Sequence, residues 1–227
     1  NTLVLIMVFG GIFGSNREGV VNYPIYLLCG RLVFEFYSQS TKRAMRSIRN
    51  SASVIKKVYV PKYIYPLSNV ISNFVTFVIS LSVLVCFILY FYFFSDKPPV
   101  INSYVFFAPV PIIILLILSL GVGLILCTLE VFFKDIEYLY EVFCTLLFYM
   151  TPIFYTVEQL NLNNEIFNYI LMANPLYSIT QMFRACVLFG EPLNPNHLYY
   201  SLGFSLVTLI VGFWAFYKKQ DKFILHI

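Results

Sequence analysis

The sequence has few charged residues, and this scarcity excludes an ordinary soluble domain. Only 11% of its 227 residues are charged, whereas soluble domains contain about 25%. Hydrophobic residues make up 59% of the chain, in long runs without the alternation typical of a membrane β-barrel. The sequence therefore predicts an all-α integral membrane protein.

Motifs for catalysis and for cofactor binding are also absent. The sequence contains no HExxH, GxSxG or GxxxxGK[ST] segment, and no glycine is followed by lysine. Its five cysteines include no CxxC pair, which argues against a zinc site or a redox site. We expect no catalytic residue, no metal and no cofactor in this chain, and no nucleic acid as a partner.

Six apolar runs predict six transmembrane helices in a single domain that covers residues 1–227. The predicted spans are approximately 1–14, 23–40, 64–94, 104–129, 142–155 and 197–217. The first run is shorter than the roughly 20 residues that a span needs. We therefore expect the N-terminus of the native protein to be missing from this sequence.

The distribution of lysine and arginine predicts the orientation. Eleven of the fifteen basic residues fall in three loops on one side, and only Arg17, Lys97 and Arg184 fall on the other. Because basic loops stay in the cytoplasm, both termini are predicted to be cytoplasmic. A further span over 166–189 would export the basic C-terminal tail, so we predict two half-inserted helices on the outer side, over about 158–189. Asn174 followed by Pro175 predicts the start of the second one, as N-cap and first helical residue.

The longest polar interruption, residues 41–66, carries seven basic residues and no acidic residue. Within it, Met45, Ile48, Ala52 and Ile55 recur at helical spacing, which predicts an amphipathic helix over about 43–57. Such a helix can lie on the bilayer surface or dock into a groove of a partner protein. We favour docking, since seven charges and an apolar seam exceed what orientation alone requires.

Arg31 and Glu35 are the one ionisable pair within an apolar run. Their spacing of four places both side chains on one helix face. Intramembrane charges usually face a bundle interior or a cavity, so the pair either lines a conduit or neutralises itself. Aromatic residues, which could stack on sugar rings or serve as structural filler, are dense around Tyr149, Phe154 and Tyr155.

Four stretches, in this order, resemble the membrane subunit of type-2 ABC exporters, in the branch that exports O-antigen, capsule or teichoic acid polysaccharides. They are 50–66 (NSASVIKKVYVPKYIYP), 131–139 (VFFKDIEYL), 149–155 (YMTPIFY) and 173–184 (ANPLYSITQMFR). The sequence departs from the family pattern at two positions. Lys134 stands where arginine is usual, and Arg31 stands where an apolar residue is usual.

The resemblance implies a homodimer around a central channel in a bacterial or archaeal inner membrane. Two copies of a separate ATPase subunit would bind ATP and magnesium and drive export of a polyprenyl-diphosphate-linked glycan, with membrane lipids as further partners. Basic residues such as Arg49, Lys56 and Lys57 could meet the diphosphate of that cargo.

The resemblance also implies roles for particular residues. The coupling helix that contacts the ATPase, together with a second contact at the 134–135 turn, would comprise Met45, Arg46, Ile48, Arg49, Asn50, Ala52, Ile55, Lys56, Lys57, Lys134 and Asp135. The channel path would include Arg31, Glu35, Tyr149, Phe154 and Tyr155. Outer-side gate helices over 158–189 would include Asn174, Pro175, Tyr177 and Arg184.

Two other functions are compatible with the sequence. A type-2 exporter of a drug, lipid or small metabolite would have the same architecture and would not need an aromatic conduit. A membrane-embedded glycosyl or acyl transferase would need a catalytic carboxylate near a membrane face. The candidates for that role are Glu130, Asp135, Glu137 and Glu141.

Overall fold

A computed structural model describes residues 23–58, 60–94, 102–153 and 171–223, and these residues form helices and turns without any strand. The helices are α1 (Tyr23–Met45), α2 (Ser47–Asn50), α3 (Ala52–Ile55), α4 (Ile64–Phe94), α5 (Pro109–Phe132), α6 (Ile136–Met150), α7 (Pro175–Arg184) and α8 (Pro195–Lys219). A 3₁₀ turn (Ser103–Phe107) precedes α5, a π turn (Ala185–Phe189) follows α7, and a 3₁₀ turn (Gln220–Lys222) follows α8. The predicted all-α class is therefore confirmed.

Three of the described helices are long and apolar enough to cross a membrane. They cover Ile64–Phe93, Tyr104–Phe132 and Pro195–Lys222, and they coincide with three of the predicted spans. The 23-residue α1 carries Arg31 and Glu35, and α6 has only 15 residues. The run at 1–14 lies outside the described residues, so a total of six spans stays a prediction.

Helix α5 is the centre of the bundle and packs against α1, α4 and α8. Two glycines allow α5 and α8 to approach with their backbones in contact. A Cβ added at Gly121 would lie 2.6 Å from the Leu209 amide nitrogen, and one at Gly212 would lie 2.6 Å from the Gly121 carbonyl oxygen. Small residues at such crossings allow membrane helices to pack through van der Waals contact of their backbones.

The prediction of one amphipathic helix over 43–57 is wrong. Helix α1 continues to Met45, and the remainder is divided at Ser51, whose φ of −99° and ψ of 11° are not helical. Serine and asparagine lower helix stability because their side chains compete for backbone groups. The Ser47 hydroxyl, for example, donates to the Ala44 carbonyl at 2.6 Å.

Several predicted boundaries also move. The connection predicted between spans over residues 130–141 is mostly helical, because α5 ends at Phe132 and α6 already begins at Ile136. The predicted start of α7 is confirmed. Asn174 caps it by accepting a hydrogen bond from the Leu176 amide at 3.0 Å, and Pro175 occupies the first helical position. The first of the two predicted outer-side helices lies outside the described residues.

Candidate functional site

A cluster of charged side chains joins α2 to the facing ends of α5 and α6. Arg46 Nη2 lies 2.6 Å from Glu137 Oε1 and 3.3 Å from Glu141 Oε1. Arg49 Nη2 lies 2.5 Å from Glu137 Oε2, and Arg49 Nη1 lies 3.1 Å from Glu130 Oε1. We call these five residues the arginine–glutamate cluster, and the end of the bundle that contains them the basic end.

Glu137 is the centre of this cluster because each of its two carboxylate oxygens contacts a different arginine. Its side chain is only 19% exposed. The hydrogen bond from Arg49 and the positive charges of both arginines lower the pKa of the Glu137 carboxyl below its ordinary value. The same hydrogen bond raises the pKa of the Arg49 guanidinium, so both groups remain charged at neutral pH.

Glu130, at the end of α5, is buried, and neither of its carboxylate oxygens has a hydrogen bond with acceptable geometry among the described residues. Its close contact is therefore the ion pair with Arg49 alone. A buried carboxylate with one partner is costly unless that partner stays in place. The position of Arg49, and with it that of α2, is consequently linked to the end of α5.

Some of the residues that were assigned to ATPase contact are buried, and others are exposed. Met45 and Ile48 are fully buried in this chain's own core, where Ile48 packs with Leu124, Cys127 and Phe216. They have no surface for a partner in this conformation, so their assignment is corrected. An amphipathic pattern predicts an apolar face and does not identify what covers that face.

The remaining part of the segment forms an exposed face. Asn50, Lys56 and Lys57 are exposed, and so are two residues absent from the predicted set, Val54 at 48% and Val58 at 55%. Ala52 and Ile55 are half-buried. Lys134 and Asp135 are exposed in the turn before α6, close in sequence to Glu137. We call Asn50, Val54, Lys56, Lys57 and Val58 the α2–α3 face.

Arg31 and Glu35 lie together on α1, as their spacing predicts, with Arg31 Nε 3.6 Å from Glu35 Oε2. Gln39 Nε2 donates to Glu35 Oε1 at 3.0 Å and extends the polar strip by one turn. Glu35 lines a groove of about 360 Å³ between α1 and α4. The polar residues that line this groove are Glu35, Gln39, Asn73, Thr76 and Ser80.

Four of these polar groove residues were missed because each one alone is ordinary within an apolar run. They form one strip only after α1 and α4 pack side by side. The role of Arg31 and Glu35 in a conduit stays a prediction. Tyr149 is 67% exposed on α6, and Phe154 and Tyr155 lie outside the described residues.

Arg184 was counted as an outer-side loop charge, but it lies in the last turn of α7 and is completely buried. Its Nη1 donates to the Pro152 carbonyl at 2.7 Å, and its Nη2 donates to the carbonyls of Tyr26 and Ile153 at 3.2 and 3.3 Å. The guanidinium carbon lies 3.6 Å from the centre of the Tyr26 ring. One side chain thus connects the end of α7 to α1 and to the segment after α6.

The other two residues assigned to the gate helices have structural partners. Pro175 begins α7, and Tyr177 packs edge-on against the ring of His197 at a centroid distance of 5.8 Å. The His197 ring nitrogen also lies 3.1 Å from the Ser178 hydroxyl. These contacts join α7 to the first turn of α8.

Comparison with known proteins connects this architecture to transport. The profile of the ABC-2 type transporter family matches residues 1–188. The O-antigen export system permease protein RfbA of Klebsiella pneumoniae is 29% identical over 224 residues, which are 98% of this chain and 83% of that protein. The RfbA protein of Myxococcus xanthus is 25% identical over 221 residues, 97% of this chain and 81% of the relative.

A third relative is named for the transport of a different polysaccharide. The polysialic acid transport protein KpsM of Escherichia coli is 23% identical over 223 residues, 97% of this chain and 81% of that protein. The resemblance to the polysaccharide-export branch is therefore confirmed.

Proposed function

The chain belongs to the ABC-2 type transporter family, and we propose that it is the permease subunit of an ATP-driven exporter of polyprenyl-diphosphate-linked polysaccharide. A homodimer would form the channel in the cytoplasmic membrane, and a separate ATPase subunit would bind ATP and magnesium. The relatives named for export of O-antigen and for transport of polysialic acid support a polysaccharide as the cargo.

The observation that carries this proposal is the arginine–glutamate cluster behind the α2–α3 face. The face is exposed and basic, whereas Arg46 and Arg49 bind glutamates of α5 and α6. An ATPase that moves the face would therefore also move the ends of those two helices. Such a connection would transmit a movement of the ATPase to the membrane helices.

The cluster also makes the transferase alternative less favourable. Each of the three glutamates of the cluster contacts Arg46 or Arg49, so their charges are compensated within the protein. A general base needs access to substrate, and these carboxylates are directed at basic side chains instead. Asp135 is exposed and has no ion pair within 4.0 Å among the described residues.

The proposal is tested by co-purification of the tagged full-length protein with its ATPase from native membranes, followed by an ATPase assay. The informative variant is Val54→Asp plus Val58→Asp, because both side chains are exposed and neither belongs to the core. We expect at least about a tenfold loss of retained ATPase, since two carboxylates would replace apolar contacts at an interface.

A matched control places the same two charges at the opposite end of the molecule, as Asn196→Asp plus Tyr199→Asp in the first turn of α8. Both positions are exposed, and acidic residues are tolerated near a helix N-terminus. The control should retain the ATPase. A wild-type protein that purifies without any ATPase, or equal retention by both double variants, would contradict the proposal.

The channel path is proposed to follow the polar groove between α1 and α4 and the exposed aromatic residues of α6. Polysaccharide export should fall in Tyr149→Ala, which removes a surface on which a sugar ring can stack. Tyr149→Phe keeps that surface and should keep export. Equal export of the polymer by the wild type and Tyr149→Ala would contradict a channel path along α6.

A further inference from the structure

A cavity of about 460 Å³ lies at the basic end of α8, beside the end of α5. Three lysines, two aromatic residues and one alanine line it: Phe132, Trp214, Ala215, Lys218, Lys219 and Lys222. The lining therefore combines positive charge with apolar surface and contains no acidic residue.

The three lysines differ from the arginines of the arginine–glutamate cluster, because the described part of the chain places no acidic partner beside them. Among the described residues, no carboxylate lies within 4.0 Å of any of the three ammonium groups. The nearest acidic residue in sequence, Asp221, is exposed. Three positive charges around one cavity repel each other, so an anion in the cavity would stabilise them.

Aromatic rings hold two of these charges in place. The Lys218 ammonium lies 4.9 Å from the centre of the Trp214 ring, and the Lys219 ammonium lies 5.2 Å from that of Phe132. Contacts of this kind are favourable and limit where a flexible lysine can point. The turn beneath is fixed as well, because Lys62 Nζ donates to the Gln220 carbonyl at 2.6 Å.

The surface next to the cavity is apolar and outward-facing. Ile210, Trp214 and Tyr217 are each more than 60% exposed on α8, in the turns that precede the lysines. In a membrane this order places aromatic rings at the interface and lysines at the level of the lipid headgroups. Helix α8 packs mainly against α5 and less against α7, so the cavity is remote from the groove between α1 and α4.

We propose that this cavity is a binding site for the phosphate headgroup of an anionic membrane phospholipid. Lysine ammonium groups bind phosphate as point charges, and Trp214 offers apolar contact to the first part of an acyl chain. A phospholipid fits better than the diphosphate of a cargo because the cavity lies on the outward face of α8. The site does not depend on the proposed exporter function.

Trp214 makes the site directly observable, because it is the only tryptophan among the 227 residues. The full-length protein is reconstituted in phosphatidylcholine nanodiscs that contain increasing fractions of dibrominated phosphatidylglycerol or dibrominated phosphatidylcholine. Bromine quenches tryptophan fluorescence on contact. We expect half-maximal quenching at a phosphatidylglycerol fraction at least about fivefold lower than for phosphatidylcholine, given the favourable energy of each lysine near an anionic lipid.

The variant Lys218→Gln, Lys219→Gln and Lys222→Gln should abolish this preference and leave quenching by phosphatidylcholine unchanged. The matched control removes three charges from exposed positions elsewhere at the basic end, as Arg43→Gln, Lys57→Gln and Lys134→Gln. It should keep the preference. Trp214→Phe identifies how much of the signal comes from this residue.

Three results would overturn the proposal. The two brominated lipids could quench equally, or the control could lose the preference as fully as the cavity variant, which would indicate diffuse charge attraction. Unbrominated polyprenyl diphosphate could also relieve quenching at a much lower fraction than unbrominated phosphatidylglycerol. That outcome would assign the cavity to a lipid-linked diphosphate instead.

Discussion

Arginine side chains fix both ends of α1, and they do so in opposite ways. At the basic end, Arg46 and Arg49 share Glu137 in ion pairs that are partly exposed to solvent. Arg49 also contacts the buried Glu130. At the other end, Arg184 is fully buried and binds three backbone carbonyls. The hydrogen bonds of Arg184 do not depend on pH, because backbone carbonyls do not titrate. They are also not screened by salt, because the side chain is buried.

The comparison indicates which end can change during a transport cycle. Partly exposed ion pairs contribute little net energy and can be exchanged for other partners. A buried guanidinium with several hydrogen bonds is costly to displace, because its charge would lose the acceptors that compensate its burial. We expect the basic end to move, with Arg49 and Glu130 moving together, and the Arg184 end to stay fixed.

The largest expected effect comes from removing the buried arginine. Arg184→Met removes a buried donor that three backbone carbonyls share and should lower the free energy of unfolding by about 3 kcal/mol. The measurement is the thermal unfolding of the purified protein in detergent. The stability of Arg184→Lys should lie between those of the wild type and Arg184→Met, since lysine keeps the positive charge but lacks the planar set of donors of arginine. Stability equal to that of the wild type in Arg184→Met would remove the contrast between the two ends.

A smaller effect on stability is expected at the centre of the arginine–glutamate cluster. Glu137→Gln removes the carboxylate shared by Arg46 and Arg49 and should cost about 1 kcal/mol in the same unfolding measurement. Its functional effect should be larger, namely retention of the ATPase with reduced ATPase stimulation by cargo. Glu191→Gln, an exposed change of the same type at the other end, is the control. If Glu137→Gln also lost the ATPase, the cluster would serve docking rather than transmission.

The smallest effect is a dependence of stability on pH. Because the pKa of Glu137 is lower in the folded protein than in the unfolded chain, its contribution is complete above the unfolded value of about 4.3. That contribution is lost as the pH falls through the folded pKa. The difference in melting temperature between the wild type and Glu137→Gln should therefore narrow below about pH 4. A difference that stays constant across this range would mean that the carboxylate charge is not what stabilises the cluster.

The sequence predicted features that depend on nearby residues. Long apolar runs gave α4, α5 and α8, a spacing of four gave the contact between Arg31 and Glu35, and Asn174 followed by Pro175 gave the start of α7. Each of these depends on composition or on residues within one or two helical turns.

Features that depend on distant residues could not be predicted in this way. Arg49 and Glu137 are 88 residues apart, and nothing local to either indicates the other. The burial of Ile48 depends on Phe216 and Phe223 near the end of the described chain. For the same reason the sequence could not indicate that Arg184, counted as an outer-side loop charge, contacts Tyr26, 158 residues earlier.

The glycine contact between α5 and α8 has a consequence for how the subunit could deform. At the crossing where the backbone at Leu209 touches Gly121, the two helices have no layer of side chains between them that could slide or repack. They should therefore behave as a single rigid body. Helix α4 is different, since it packs mainly against α1 and less against α5. If the subunit bends as it works, the hinge should lie on the α1–α4 side, and a disulfide linking α5 to α8 should leave its cycle intact.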